Sequence, residues 1–239
     1  MICVNPINNT NNLNFKSYRR EFKDASGYVV NRCDTCLFRF DLDFDKLIMF
    51  LENKYKDVDR VKIINQACSD GEESHSLVAL IIYMLGVEKS QKYLPVFAED
   101  LLQDNINIAR RGIYTIQSFE RPACEYYLED NLNEYFIPIR KNTIKVNKKV
   151  RKNILFEQMD ILDSLKIHDF KNTVLLARNF WDYLTTNQAL DLVSTLAMKM
   201  DKTSTLVIGQ YDKQFSVDNL LKNYGFQETE VSNVFELKL

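Results

Sequence analysis

The chain is 239 residues long with 46% hydrophobic and 27% charged residues, enough apolar material for a sizeable core and too much for global disorder. Its 31 basic and 33 acidic residues leave a formal net charge of −2, which argues against a dedicated nucleic-acid binder. No stretch of about 18 apolar residues offers a membrane span, no leader pattern opens the chain, and the 5 scattered cysteines suit a reducing, cytoplasmic setting better than a disulfide framework.

Residues Met1 to Asn14 are rich in asparagine and read as a loosely attached arm, part of an N-terminal region over residues 1–34. Phe44 to Tyr55 places Leu47, Phe50 and Leu51 on one helical face. From Val61 the pattern alternates. Strands are expected at Val61–Gln66, Tyr93–Ala98, Ile154–Met159, Thr173–Ala177 and Thr205–Gly209. Helices are expected at Ser74–Leu85 (stopping at Gly86), Leu101–Arg111 (stopping at Gly112), Thr186–Met200 and Val217–Tyr224. Strands alternating with helices predict a doubly wound α/β domain on a mostly parallel sheet. Phe226–Val231 and Val234–Leu239, with no helix between them, predict a closing antiparallel pair.

Residues Arg121 to Arg151 interrupt the alternation and read as an inserted segment. Its basic run (Lys141, Lys145, Lys148, Lys149, Arg151, continuing to Lys152) is a solvated face or a dock for an acidic partner helix. Cys33-x-x-Cys36 has metal spacing, but without a second such pair or nearby histidines no metal site is expected.

The chemistry concentrates at strand ends, where doubly wound sheets bind ligands. After the first strand comes Ala67-Cys68-Ser69-Asp70-Gly71-Glu72-Glu73. Gly71 lets backbone approach a ligand, but the loop is neither GxGxxG nor a P-loop. Glu72 and Glu73 disfavour phosphate and suit a cation, or simply oppose a helix dipole. Cys68 reads as packed beside a ligand rather than as a nucleophile, and His75 as a partly exposed residue at the cleft edge. Asp100 ends the second strand, where an acid accepts from ribose hydroxyls in nucleotide folds. Asp160, followed by Ile161, ends the third and could take an adenine amino group or start a helix. Arg178-Asn179 ends the fourth; a guanidinium there suits a carboxylate or forms a structural ion pair.

In order, Thr35-x-Leu37-Phe38-Arg39, the Ala67–Glu73 loop, Ala98-Glu99-Asp100 and Ala109-Arg110-Arg111-Gly112-Ile113-Tyr114 follow one pattern. So do Asp160-Ile161-Leu162, Arg178-Asn179-x-x-x-Tyr183 and Leu206-Val207-Ile208-Gly209. Together they resemble the catalytic domain of the chemotaxis receptor glutamate methyltransferases, the CheR type. The resemblance implies a catalytic domain over residues 35–239 with the class I S-adenosylmethionine-dependent fold: seven strands, the last antiparallel. It implies S-adenosylmethionine as methyl donor, S-adenosylhomocysteine as product, and an acidic protein segment, such as a chemoreceptor cytoplasmic helix, as acceptor. It implies a monomer with no nucleic-acid partner.

By the same resemblance, Ala67, Cys68, Gly71, Glu72 and Glu73 line the methionine end of the cofactor and Asp100 binds the ribose. Asp160 and Ile161 border the adenine, and Asn179 frames the pocket. Arg39, Arg178 and Tyr183 stand by the methyl donor and the incoming carboxylate. A carboxylate is ionised at pH 7 and needs no general base, so the arginines position rather than move protons. A small-molecule acceptor, or a non-catalytic regulator that binds cofactor or partner, would use the same fold. In place of the family's usual Gly-His-Ser-Glu, this chain carries Gly209-Gln210-Tyr211-Asp212.

Overall fold

The computed structural model describes residues 21–23, 29–31, 35–39, 41–115, 132–141 and 143–238. The asparagine-rich arm, Cys33 and all of the Arg121–Asn131 stretch lie outside the described residues. Two short strands, β1 (Glu21–Lys23) and β2 (Val29–Asn31), pair antiparallel near the start. Helix α1 (Phe44–Lys54) follows, with the Asp43 side chain capping its first turn at the Lys46 N–H.

The main sheet has seven strands: β3 (Lys62–Gln66), β4 (Val96–Asp100), β8 (Ile154–Gln158), β9 (Thr173–Ala177), β10 (Thr205–Val207), β11 (Phe226–Glu228) and β12 (Val234–Leu237). Their spatial order is β11-β12-β10-β9-β3-β4-β8. β8, β4, β3, β9 and β10 run parallel, and β12 is antiparallel to both of its neighbours. The expected mostly parallel sheet with a reversed last strand is the one that forms. The order reverses between β3 and β9, which puts the switch point beside the loop after β3.

Connecting helices cover both faces: α2 (Glu72–Ser90), α3 (Gln103–Arg111), α5 (Ile161–Ile167), α6 (Thr186–Lys199) and α7 (Val217–Asn223). Strand alternation divides the core. Ile63, Val174 and Leu176 pack with Leu77, Val78 and Ile81 of α2, while Ile64, Leu175 and Ala177 pack with Leu192, Val193 and Leu196 of α6. α6 opens with a capping box between Thr185 and Gln188.

Several boundaries shift for local reasons. β4 begins only at Val96, after Pro95, which has no N–H for a ladder. β10 stops at Val207 because the Ile208 N–H turns to the Asn233 carbonyl (3.0 Å) and the Gly209 N–H to Asp212 (2.6 Å). Gly86 does leave helical geometry (φ 75°, ψ 167°), but the chain resumes helix as far as Ser90. The inserted segment is partly a small antiparallel sheet of β5 (Ile113–Thr115), β7 (Thr143–Val146) and β6 (Phe136–Arg140), followed by the single turn α4 (Lys148–Arg151). It starts at Ile113, earlier than the sequence pattern suggested. No helix among the described residues is long and apolar enough to cross a membrane.

Candidate active site

The loop after β3 is wound by three left-handed residues: Ala67 (φ 51°), Ser69 (φ 51°) and Gly71 (φ 82°). Gly71 is required twice over. Its φ is costly for other residues, and an added Cβ would lie 2.6 Å from Ala109 Cβ and 2.9 Å from Phe156 Cε1. The Cys68 N–H donates to the Glu99 carbonyl (2.8 Å), tying the loop to β4. From the other side, the Tyr114 hydroxyl donates to the Asp70 carbonyl (2.6 Å). With that proton committed, the 2.8 Å contact between Tyr114 and His75 Nδ1 has the imidazole as donor. His75 is therefore not a cleft-edge residue. It is fully buried, and burial pushes its pKa down to about 3, so it is neutral. Helix spacing alone placed it on an exposed margin; the inserted β5, carrying Tyr114, covers it.

Asp100, at the end of β4, is buried and fixed by three donors: the Ser69 N–H (2.8 Å), the Leu102 N–H (2.9 Å) and Asn105 Nδ2 (3.1 Å). Donors of this kind stabilise an ionised carboxylate. Asp160 lies apart at the end of β8. It is exposed and caps α5 at the Leu162 N–H (2.7 Å), with Ile161 as the first helical residue.

Glu72 and Glu73 do open α2, as dipole-opposing acids would, yet both are buried. Buried acids need partners, and Glu73 pairs with Arg178 Nη1. Arg178 follows β9 and is only 3% exposed. Its Nη2 reaches Asp41 Oδ1 at 3.1 Å. Asp41 also takes two bonds from Arg39, at 3.0 Å (Nε) and 3.2 Å (Nη2), and one from Asn179 Nδ2 at 3.4 Å. The structure thus gathers Arg39, Glu73, Arg178 and Asn179 around Asp41. Burial alone would raise the Asp41 pKa, but the two guanidiniums outweigh it and lower it. Burial alone would lower that of Arg39, but Asp41 and Glu73 outweigh it and raise it. Asp41 therefore stays ionised and Arg39 stays protonated.

Asn179 is itself left-handed (φ 59°). Its N–H donates to Asp212 Oδ2 (2.9 Å), which also accepts from the Gly209 N–H (2.6 Å). A Cβ at Gly209 would meet Asn179 Oδ1 at 2.1 Å and Asp212 Oδ2 at 2.9 Å, so a larger residue there would displace those side chains. Burial raises the Asp212 pKa to about 6. Tyr183 sits half-buried at the end of a short 3₁₀ turn, Trp181–Tyr183, against the core beneath α6. That turn is pinned by Trp181 Nε1, which donates to the Ala177 carbonyl (2.8 Å).

Asp41, Tyr114 and Asp212 were not singled out from sequence. Asp41 lies two residues after Arg39, and Tyr114 ends the Ala109–Tyr114 block. The signals were adjacency alone.

Residues 34–229 match the family described as CheR methyltransferase, SAM binding domain. The chain belongs to that family. A CheR-type domain binds S-adenosylmethionine, and the chain is an S-adenosylmethionine-dependent methyltransferase with the class I fold. Among solved structures it is similar to WbdD, at 12% identity and TM-score 0.38, over 70% of this chain but 29% of that one. It is similar to a TehB-like SAM-dependent methyltransferase from Corynebacterium glutamicum, at 12% identity and TM-score 0.39, over 79% of this chain and 84% of that one. It is also similar to the magnesium protoporphyrin IX methyltransferase from Synechocystis, solved with bound SAH, at 12% identity and TM-score 0.42, over 82% of both chains.

The CheR-type loop fits the charge of its cofactor. The Cys68 thiol is fully buried, and burial together with the carboxylates of Asp100, Glu73, Glu99 and Asp70 holds its pKa well above the ordinary value. Cys68 stays a thiol, and the loop lies in a negative field that suits an amino group and a sulfonium and repels phosphate.

Proposed function

We propose that the chain transfers the methyl group of S-adenosylmethionine to a glutamate-type carboxylate on an acidic protein segment, such as a cytoplasmic helix of a chemoreceptor. The observation that carries this reading is the buried cluster of Arg39 and Arg178 around Asp41, next to Glu73 of the cofactor loop. When bound, the cofactor supplies a sulfonium methyl open to in-line displacement. Around it, Gly71 admits close backbone approach, Glu72 and Glu73 balance positive charge, and Asp100 takes the ribose. Asp160 and Ile161 border the adenine.

An attacking carboxylate is already ionised at neutral pH, so the site has no proton to remove. The task is to orient and dehydrate it. Arg39, Arg178 and Tyr183 carry N–H and O–H donors for that task. Because Asp41 and Glu73 already balance both guanidiniums, these donors direct a carboxylate without an excess positive charge that would hold the ground state too firmly.

The test is transfer from methyl-labelled cofactor to a lysate of the source organism, followed by mild alkali. A glutamyl methyl ester releases its label as volatile methanol. Label that resists alkali would assign a different acceptor group. Cofactor binding without transfer to any fraction would assign a regulatory role.

A further inference from the structure

A groove of about 680 Å³ lies outside the cofactor site, lined by Arg110, Lys148, Arg151, Lys152, Leu155 and Glu157 together with the inner residues of β8. Four of these six side chains are cationic and one is acidic, in a chain whose net charge is −2. Two of the cations are held in place. Arg110 Nη2 donates to the Phe156 carbonyl at 2.6 Å, and Arg151 Nε donates to the Val146 carbonyl at 3.0 Å. Gly112 makes room for the Arg151 stem, since a Cβ there would lie 2.8 Å from Arg151 Cδ. Lys148 and Lys152 are exposed above them. Leu155, 49% exposed, adds an apolar contact on the outermost strand of the sheet.

We infer that this groove is an exosite for the protein acceptor, which it binds through acidic side chains. The inference rests on the proposed acidic protein acceptor and deepens it. Arg110 already occupies the outward Phe156 carbonyl, so the groove favours carboxylates over an added strand. Its apolar element is a leucine, and among the described residues no exposed aromatic side chain lines it for base stacking, which favours an acidic polypeptide over nucleic acid. From Leu155 along β8 to Asp160 the chain advances about 15 Å. A polypeptide spans that distance, so it can hold the groove and the cofactor site together.

The probe is a short fluorescein-labelled peptide of glutamates and leucines, titrated with the full chain and read by anisotropy at low and physiological salt. The double substitution Lys148→Glu and Lys152→Glu changes two exposed side chains, and Lys202→Glu serves as a control elsewhere on the surface. The expected result is salt-sensitive binding, weakened about tenfold or more by the double substitution. Lys202→Glu should leave it unchanged, and all three proteins should titrate alike with S-adenosylmethionine. Equal peptide binding by the double variant, or none by the unsubstituted chain, would overturn the exosite. So would a single-stranded RNA that binds the groove more tightly than the peptide. Failure of the proposed reaction reads differently: groove-dependent peptide binding would persist while no alkali-labile methyl group formed on any protein.

Discussion

His75 gives the sharpest quantitative expectation. Its imidazole is buried, donates from Nδ1 to Tyr114, packs on Phe156 (5.3 Å between ring centroids) and has no partner at Nε2 among the described residues. Burial lowers its pKa from 6.5 to about 3. Between these values the unfolded chain binds a proton that the native chain refuses, so stability falls as pH falls. At 1.36 kcal/mol per unit, the native state loses about 2 kcal/mol by about pH 5 and about 5 kcal/mol once the pH drops below 3. Asp212 works in the opposite sense. Its native pKa is raised from 3.8 to about 6, so acidification to about pH 5 returns about 1.4 kcal/mol. The two partly cancel in the unsubstituted chain, and only a comparison separates them. In His75→Asn, the amide nitrogen can take the place of Nδ1 and no titrating group remains. Urea unfolding at about pH 7.5 and about pH 5 is the assay. The variant should be less stable at the higher pH because the ring leaves a cavity, yet its loss on acidification should be about 2 kcal/mol smaller than that of the unsubstituted chain. Equal losses would refute the buried, neutral imidazole.

Three further outcomes follow from named contacts. Asp41→Asn leaves two buried guanidiniums undercompensated and should cost about 3–5 kcal/mol in unfolding experiments. Asp43→Asn, which changes an exposed helix cap two residues away, should cost about 1 kcal/mol or less. Gly71→Ala strains a positive φ and drives a methyl into Ala109 and Phe156, so calorimetric affinity for S-adenosylmethionine should fall at least tenfold. Gly86→Ala has a similar φ but open space around it, and should lower only stability, by about 1 kcal/mol. Asp100→Ala removes the acceptor of the Ser69 and Leu102 N–H groups and should abolish micromolar binding of both S-adenosylmethionine and S-adenosylhomocysteine. Retained binding would remove Asp100 from the cofactor site.

The sheet was legible because its strands are short apolar runs separated by helices of clear period. β9 needed nothing more than Thr173–Ala177 to be placed. The same logic could not find α5, because Ile161–Ile167 offers barely two turns and both Leu162 and Ile167 are exposed. It could not see β5, β6 and β7 either. Ile137, Pro138 and Ile139 all face solvent, so β6 shows no alternation of apolar and polar residues, and its pairing with β7 shifts register between Pro138 and Arg140. His75 was misplaced for a related reason: its burial depends on Tyr114, from the segment that local pattern could not resolve.

The site was legible by residue type but not by pairing. A sequence shows Arg39, Glu73 and Arg178 as charged positions in separate blocks. Only the fold shows that Asp41, from the segment before α1, bridges two arginines that arrive from opposite halves of the chain. That pairing changes what the site can do. With both guanidiniums balanced by Asp41 and Glu73, the field around the loop after β3 is set by Asp70, Glu72, Glu99 and Asp100, and it is negative. Such a field draws a cationic cofactor and repels an acidic acceptor at long range. For the proposed carboxylate acceptor, attraction must therefore come from elsewhere on the surface. In the proposed exosite, Arg110, Lys148, Arg151 and Lys152 supply it along β8. Under that proposal, one small domain holds a positive ligand at the loop after β3 and a negative partner along β8.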